Sequence, residues 1–168
     1  MTTGDPSRYV HGHSEREAVR LSEQACTLAE LLHQVTSYPP QSLVLEAGCG
    51  VWAQTVILAA RSSEARIVSL DLSLSSLSCA RASASAGGWE EVTFARGDLH
   101  SLPFRNCSFD HVFICFVLEH LKAPLIALQS LREVLKPGGT LTVIEGDHGS
   151  AFFHPGSRYA SDAILALE

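Results

Sequence analysis

The sequence predicts an α/β fold: a three-layer sandwich in which helices cover a mostly parallel sheet of five strands, preceded by an N-terminal helix. Three observations carry this. Short apolar runs alternate with segments of helical periodicity, the pattern of strands joined by right-handed crossovers. The first run, Leu43-Val44-Leu45-Glu46-Ala47, opens into Gly48-Cys49-Gly50, where glycines let the backbone bend tightly and let a ligand approach. Acids then recur at strand ends, at Glu46, Asp71 and Asp98, which is where such sheets bind their ligands.

Taken in order, Ser14-Glu15-Arg16-Glu17 matches a capping box. Leu21, Ala25, Leu28, Leu32 and Val35 follow at helical spacing, so a helix is expected over 13–37, ended by Tyr38-Pro39-Pro40. The core is expected over 42–146. After the glycine turn a helix runs from Trp52 to Arg61, its free N–H groups aimed over the turn. Arg66–Asp71 is a second strand, and Ser73 caps an alanine-rich helix stopped by Gly87-Gly88. Glu91–Ala95 is a third strand and leads into Arg96-Gly97-Asp98-Leu99. Phe109–Phe116 is a fourth, apolar enough to be buried on both faces. A helix with Leu125, Leu128, Leu131, Val134 and Leu135 on its apolar side comes next, and Pro137-Gly138-Gly139 turns the chain into a fifth strand, Thr140–Glu145. Over 149–168 the pattern weakens. Ser161–Leu167 reads as the start of an amphipathic helix, and this part is expected to be the incomplete remainder of a longer domain.

Composition bounds the partners. With 168 residues, 46% hydrophobic and 18% charged, the chain suits one globular domain with a real core. A net charge of -6 and the lack of any Lys/Arg run give no pull toward nucleic acid or anionic membrane. The longest apolar run, Val112–Leu118, is too short for a membrane span. Five scattered cysteines form no CxxC pair, so thiols in a reducing, cytoplasmic setting are expected rather than disulfides or zinc.

Together these residues resemble the class I S-adenosylmethionine-dependent methyltransferases, a Rossmann-like superfamily. The wording is most similar to the subgroup that includes the ubiquinone/menaquinone biosynthesis methyltransferases. The resemblance runs from about Tyr9 to His148. It rests on the ordered series of Glu46 with Gly48 and Gly50, Asp71, Gly97-Asp98, Phe109-Asp110 through Glu119-His120-Leu121, and Leu135-Lys136-Pro137-Gly138-Gly139.

The resemblance implies S-adenosyl-L-methionine as cofactor, with Asp71 on the ribose hydroxyls and Leu72 beside it. Asp98 would accept from the adenine amino group, with Gly97 and Leu99 alongside. Glu46 would lie near the methionine end, Gly48 and Gly50 would allow close approach, and Cys49 would pack rather than react. Phe116 and Val117 would pass beside the cofactor, and Tyr9 and His11 would belong to a lid. It implies in-line methyl transfer to a small-molecule acceptor. His120 and His148 are the candidate bases or substrate contacts, each weighed against a structural hydrogen bond. No metal is expected, although Glu145, Asp147 and His148 lie within one turn.

Two departures stand out. The family usually has a third glycine where this chain has Trp52. An indole there either points outward or crowds the methionine part of the cofactor, in which case Trp52→Gly raises affinity. Family members also carry further strands after the fifth. Without them the fifth strand presents an open edge, which favours pairing with a second copy. The alternatives are a non-catalytic cofactor-binding module on the same fold and an NAD-dependent oxidoreductase, since Gly48-x-Gly50-x-x-Ala53 also fits a dinucleotide fingerprint.

Overall fold

A computed structural model describes residues 15–89, 91–147, 156–159 and 162. Tyr9, His11, Ser14, His148 and the segment Ser161–Leu167 lie outside the described residues, apart from Asp162. Five strands form one parallel sheet: β1 (Leu43–Ala47), β2 (Arg66–Asp71), β3 (Val92–Arg96), β4 (Phe109–Cys115) and β5 (Leu135–Ile144). Their order is β3-β2-β1-β4-β5. The chain runs outward from β1 to β3, then jumps back to place β4 on the other side of β1. The gap between the ends of β1 and β4 is therefore the point where strand order reverses, and there a ligand crevice opens.

Four helices accompany the sheet among the described residues: α1 (Glu15–Leu32), α2 (Thr55–Arg61), α3 (Leu74–Gly87) and α4 (Pro124–Val134). Strand side chains alternate between two cores. Val44, Ile67 and Phe113 join Leu58 of α2 and Ala80 of α3 on one face. Leu45, Leu70, Val112 and Ile114 join Ala127 and Leu131 of α4 on the other. β1 and β4 are buried on both faces, hence their nearly unbroken apolar wording. Each such side chain contributes about 1.5–3 kcal/mol over its exposed state.

The structure departs from the sequence expectation in four places. First, α1 stops at Leu32 rather than running to 37, and Val35 is 87% exposed instead of continuing the stripe. The cause is His33, which leaves the helix for the core and is fully buried. Its Nδ1 meets Thr36 Oγ1 at 2.7 Å, its Nε2 meets Gln54 Oε1 at 2.8 Å, and its ring lies 5.5 Å from that of Phe113. Arg61 donates to the His33 carbonyl at 2.9 Å. Second, α2 begins at Thr55, three residues later than expected, because residues 51–54 form turns. Third, the crossing from β3 to β4 contains no helix, so the alternation of strands with helical segments is broken there.

Fourth, β5 begins at Leu135 and takes in Pro137-Gly138-Gly139 as an irregularity, not as a turn before the strand. Phe109 pairs with Leu135 and His111 with Thr140, so Asp110 alone faces Lys136–Gly139. Gly138 has φ +81, and a Cβ on Gly139 would lie 2.7 Å from the Asp110 carbonyl oxygen. Asp110 also ties three strands together. Its carboxylate accepts from Leu43 N–H at 2.9 Å and from Lys136 Nζ at 2.7 Å. Those two donors, Lys136 first, hold its carboxyl below the usual carboxylate range. The α3 caps follow expectation: Ser73 accepts from Ser76 N–H, and Gly88 turns left-handed at φ +73.

Candidate active site

The glycine turn is held from the β2 side. Gly48 and Cys49 both donate to the Leu70 carbonyl, at 2.8 and 3.0 Å. Gly50 donates to Asp71 Oδ2 at 2.9 Å, while Asp71 Oδ1 accepts from Ser73 N–H at 2.8 Å. Three successive amides of the turn itself are thus spent inside the protein rather than offered to a ligand. What the turn offers is space. A Cβ on Gly50 would meet nothing within 4 Å, whereas one on Gly48 would lie 2.7 Å from Val117 Cγ2. Gly48 is therefore a close-packing position at φ +78, and Gly50 is the open one.

Above the turn lies a cavity of about 500 Å³. Gly48, Cys49, Gly50, Val51, Ala53 and Gln54 form its floor. Cys115, Phe116, Glu119, His120 and Gly146 make the far wall, and Arg20, Leu21 and Gln24 of α1 form the roof. Phe116 has φ +55, an unusual value for a bulky residue. It stands where the chain leaves β4 for the 3-10 turn Leu118–His120. His120 Nε2 lies 3.6 Å from Glu119 Oε1. Both side chains are half-buried in the wall.

Of the residues singled out in the sequence, Gly48, Cys49, Gly50, Phe116 and His120 line this cavity. Asp71 reaches it through Gly50, and Val117 through its contact over Gly48. Asp98, Gly97, Leu99 and Leu72 sit beyond β2 and β3 instead. Leu72 is 54% exposed and Leu99 is buried. Asp98 Oδ1 accepts from the His100 backbone N–H and from His100 Nδ1, at 2.9 and 2.8 Å. These bonds lower its pKa. Gly97 serves packing, since a Cβ there would lie 2.7 Å from Pro103 Cδ and 2.8 Å from Leu70 Cδ1.

Glu46 is not on the cavity wall. It is sealed under the turn, where Thr55 Oγ1 donates to Oε1 at 3.0 Å and Ser69 Oγ donates to Oε2 at 2.6 Å. Burial pushes its pKa up to about 7, against the opposing effect of the two hydroxyl donors. Burial also drives the Cys49 thiol far above its ordinary range and lifts Cys115 to about 12. Both thiols are packing groups that cannot supply a thiolate near neutral pH.

Trp52 neither points outward nor crowds the cavity. It is buried in the α2/α3 core, with its ring 5.8 Å from that of Phe94. Its φ is +91, the backbone conformation a glycine would adopt without strain. The chain keeps the shape of a third-glycine turn and uses the side chain to fill the core.

Among the described residues no cluster of His, Cys, Asp and Glu could hold a metal ion. Glu145 is engaged elsewhere, accepting from the Val117 and Leu118 amides at 3.0 and 2.9 Å. Two residues that sequence reasoning missed are Arg20 and Gln24, joined at 3.1 Å on the roof. Their only signal was a place on the polar side of the first helix.

A crevice at the strand reversal, a glycine turn pinned by an acid from the next strand, and this strand order define the class I S-adenosylmethionine-dependent methyltransferase fold. The methyltransferase domain family matches residues 45–143, and the chain belongs to that family. A demethylmenaquinone methyltransferase of Bacillus velezensis is 31% identical over 120 residues, covering 71% of this chain and 52% of that protein. A probable methyltransferase of Aspergillus luteorubrus is 31% identical over 153 residues, covering 83% and 52%. The chain thus spans about half the length of the curated relatives it matches. A structure of an S-adenosylmethionine-dependent methyltransferase from Aquifex aeolicus superposes with a TM-score of 0.71 at 19% identity, over 98% of this chain and 87% of that one. No helix among the described residues is long and apolar enough to cross a membrane.

Proposed function

We propose that this chain binds S-adenosylmethionine over Gly48–Gly50 and transfers its methyl group in line to a small-molecule acceptor. The observation that carries the reading is the cavity of about 500 Å³ at the strand reversal, with Asp71 fixed to Gly50 at its edge. The methionine end fits the cavity. The ribose hydroxyls then reach Asp71, which keeps lone pairs free beyond its two backbone bonds. Adenine extends over exposed Leu72 toward the Asp98 oxygen that His100 leaves unused. Glu46 acts from beneath, by anchoring Thr55 at the start of α2.

The cofactor supplies a methyl group already activated by the sulfonium charge. This chain's task is to align the acceptor and keep water away. Phe116 and Leu21 supply apolar walls. His120, beside Glu119, takes a proton from an acceptor that must lose one; His148 remains the second candidate for that role. A small-molecule acceptor agrees with the name of the demethylmenaquinone relatives and with the net charge of -6. Free thiols, with Cys26, Cys79 and Cys107 exposed, suit a cytoplasmic setting. The β5 edge, where Val143 is 44% exposed, suits pairing with a second copy; sedimentation across protein concentration tests that.

A dinucleotide is the competing occupant, since Gly48-x-Gly50-x-x-Ala53 fits its fingerprint as well. Calorimetry with S-adenosylhomocysteine and with NAD separates the two. The reading expects binding of the first alone, and tight NAD binding overturns it. Methylation of a metabolite extract, followed by mass spectrometry, then distinguishes an enzyme from a non-catalytic binding module.

A further inference from the structure

Glu145 is the residue just beyond β5, and its carboxylate holds the loop that follows β4. A single oxygen, Oε1, accepts from two consecutive amides, Val117 at 3.0 Å and Leu118 at 2.9 Å. Those amides follow Phe116, whose φ of +55 bends the chain away from the sheet immediately after its N–H bonds the Ile144 carbonyl at 2.9 Å. The segment so held is the far wall: Phe116 and His120 face the cavity, and Val117 lies against the glycine turn at Gly48. The other oxygen, Oε2, is buried with no hydrogen-bond partner among the described residues.

A carboxylate with one oxygen buried and unpaired is a poor choice for packing, because leaving a buried acceptor unsatisfied is costly. An apolar side chain would fill the space better. The arrangement is favourable only for what Oε1 achieves, which is to draw two consecutive amides onto one acceptor oxygen. Those bonds hold a left-handed bend at Phe116 that an L side chain resists. They join the end of β5 to the loop after β4, which forms the far wall of the crevice.

We propose that Glu145 is a positioning residue for the cofactor site, setting the Phe116 bend and thereby the wall that carries His120. The inference rests on the proposed cofactor reading. It makes no use of a metal, although Glu145 stands two residues from Asp147.

The test compares three variants of the full chain. Glu145→Gln keeps an oxygen that can accept from both amides, Glu145→Asp keeps the charge but withdraws it by one methylene, and Glu145→Ala removes both. Calorimetry measures S-adenosylhomocysteine affinity, and amide hydrogen exchange followed by NMR reports on Val117, Leu118 and, as an internal control, Gly50. The Ala and Asp variants are expected to lose about tenfold in affinity, equivalent to about 1.4 kcal/mol. Exchange should speed up at Val117 and Leu118 but not at Gly50. The Gln variant should stay within about threefold of wild type on both measures, well under the energy of one lost charged hydrogen bond. A purely structural role would instead lower protection throughout the sheet.

If the Ala variant does not fold, the order of Asp against Gln decides. Asp behaving like wild type while Gln loses affinity means that charge, not amide capture, matters, and overturns the proposal. So does wild-type affinity in a variant whose two amides have lost protection. Wild-type protein that fails to bind S-adenosylhomocysteine overturns the cofactor reading itself, and this inference with it.

Discussion

Trp52 shows how a residue that looks wrong for a motif can suit the fold. Its φ of +91 costs about 1–3 kcal/mol in a non-glycine residue, and burial of the indole against Phe94 offsets that strain. Trp52→Gly relieves the strain but loses a buried aromatic worth about 3–5 kcal/mol. Chemical denaturation should therefore show a net loss of about 2 kcal/mol. The affinity for S-adenosylhomocysteine should stay as in wild type, because the ring is not on the cavity wall. Gly48→Ala behaves differently: its new Cβ meets Val117 at 2.7 Å with φ at +78. A loss of about 1–3 kcal/mol is expected together with weaker binding. Glu46 adds a pH signature. Its pKa rises from 4.5 to about 7 on folding, so the folded state holds the proton more tightly. Stability from this group is complete below about pH 4.5 and is lost as pH rises toward 7, by an amount on the order of 3 kcal/mol. Glu46→Gln should flatten that slope in denaturant midpoints measured from pH 5 to pH 8. The spacing of Glu46 before two glycines was legible in the sequence. Its burial was not, because it depends on Ser69 of β2 and Thr55 of α2 arriving from elsewhere in the chain.

At the scale of elements, α1 is fastened to the site by the inward residues Leu21, Ala25, Leu28 and Leu32 and, just past its end, by His33. Periodicity alone carried the helix past Leu32, and the competing influence was tertiary: one imidazole that reaches Gln54 on the cavity floor and Thr36 beside it. Burial lowers the His33 pKa below 6.5. The unfolded chain then takes up this proton first, so stability falls as pH drops from about 6.5 toward the lower folded value. His33→Ala should abolish that acid-side slope in denaturation curves. It should also cost about 2 kcal/mol at pH 8, by leaving the Gln54 and Thr36 partners unpaired in the interior. β5 teaches a related lesson. Proline and two glycines read as a turn before a strand, yet Asp110 faces all four residues Lys136–Gly139 across an irregular ladder. Turn chemistry was legible; its absorption into the sheet edge depended on a partner strand the local sequence does not contain.

For the molecule as a whole, strand content and the glycine turn could be read directly, because a parallel sheet buried on both faces writes its strands as apolar runs bounded by turn residues. The site was legible in part. Gly48, Gly50, Phe116 and His120 meet around one cavity as their positions at strand ends implied, while the α1 roof with Arg20 and Gln24 was not foreseen. A helix that precedes β1 in the chain can pack in several ways, and its sequence does not say that it closes the crevice. The central claim is that this crevice, between the ends of β1 and β4, is where a sulfonium nucleoside binds. A crystal structure of the full chain with S-adenosylhomocysteine tests it most directly. The amino-acid part is expected over Gly50 beneath α1, with both ribose hydroxyls on the Asp71 carboxylate. Ligand bound at any other place, or in the crevice without contact to Asp71, would contradict it.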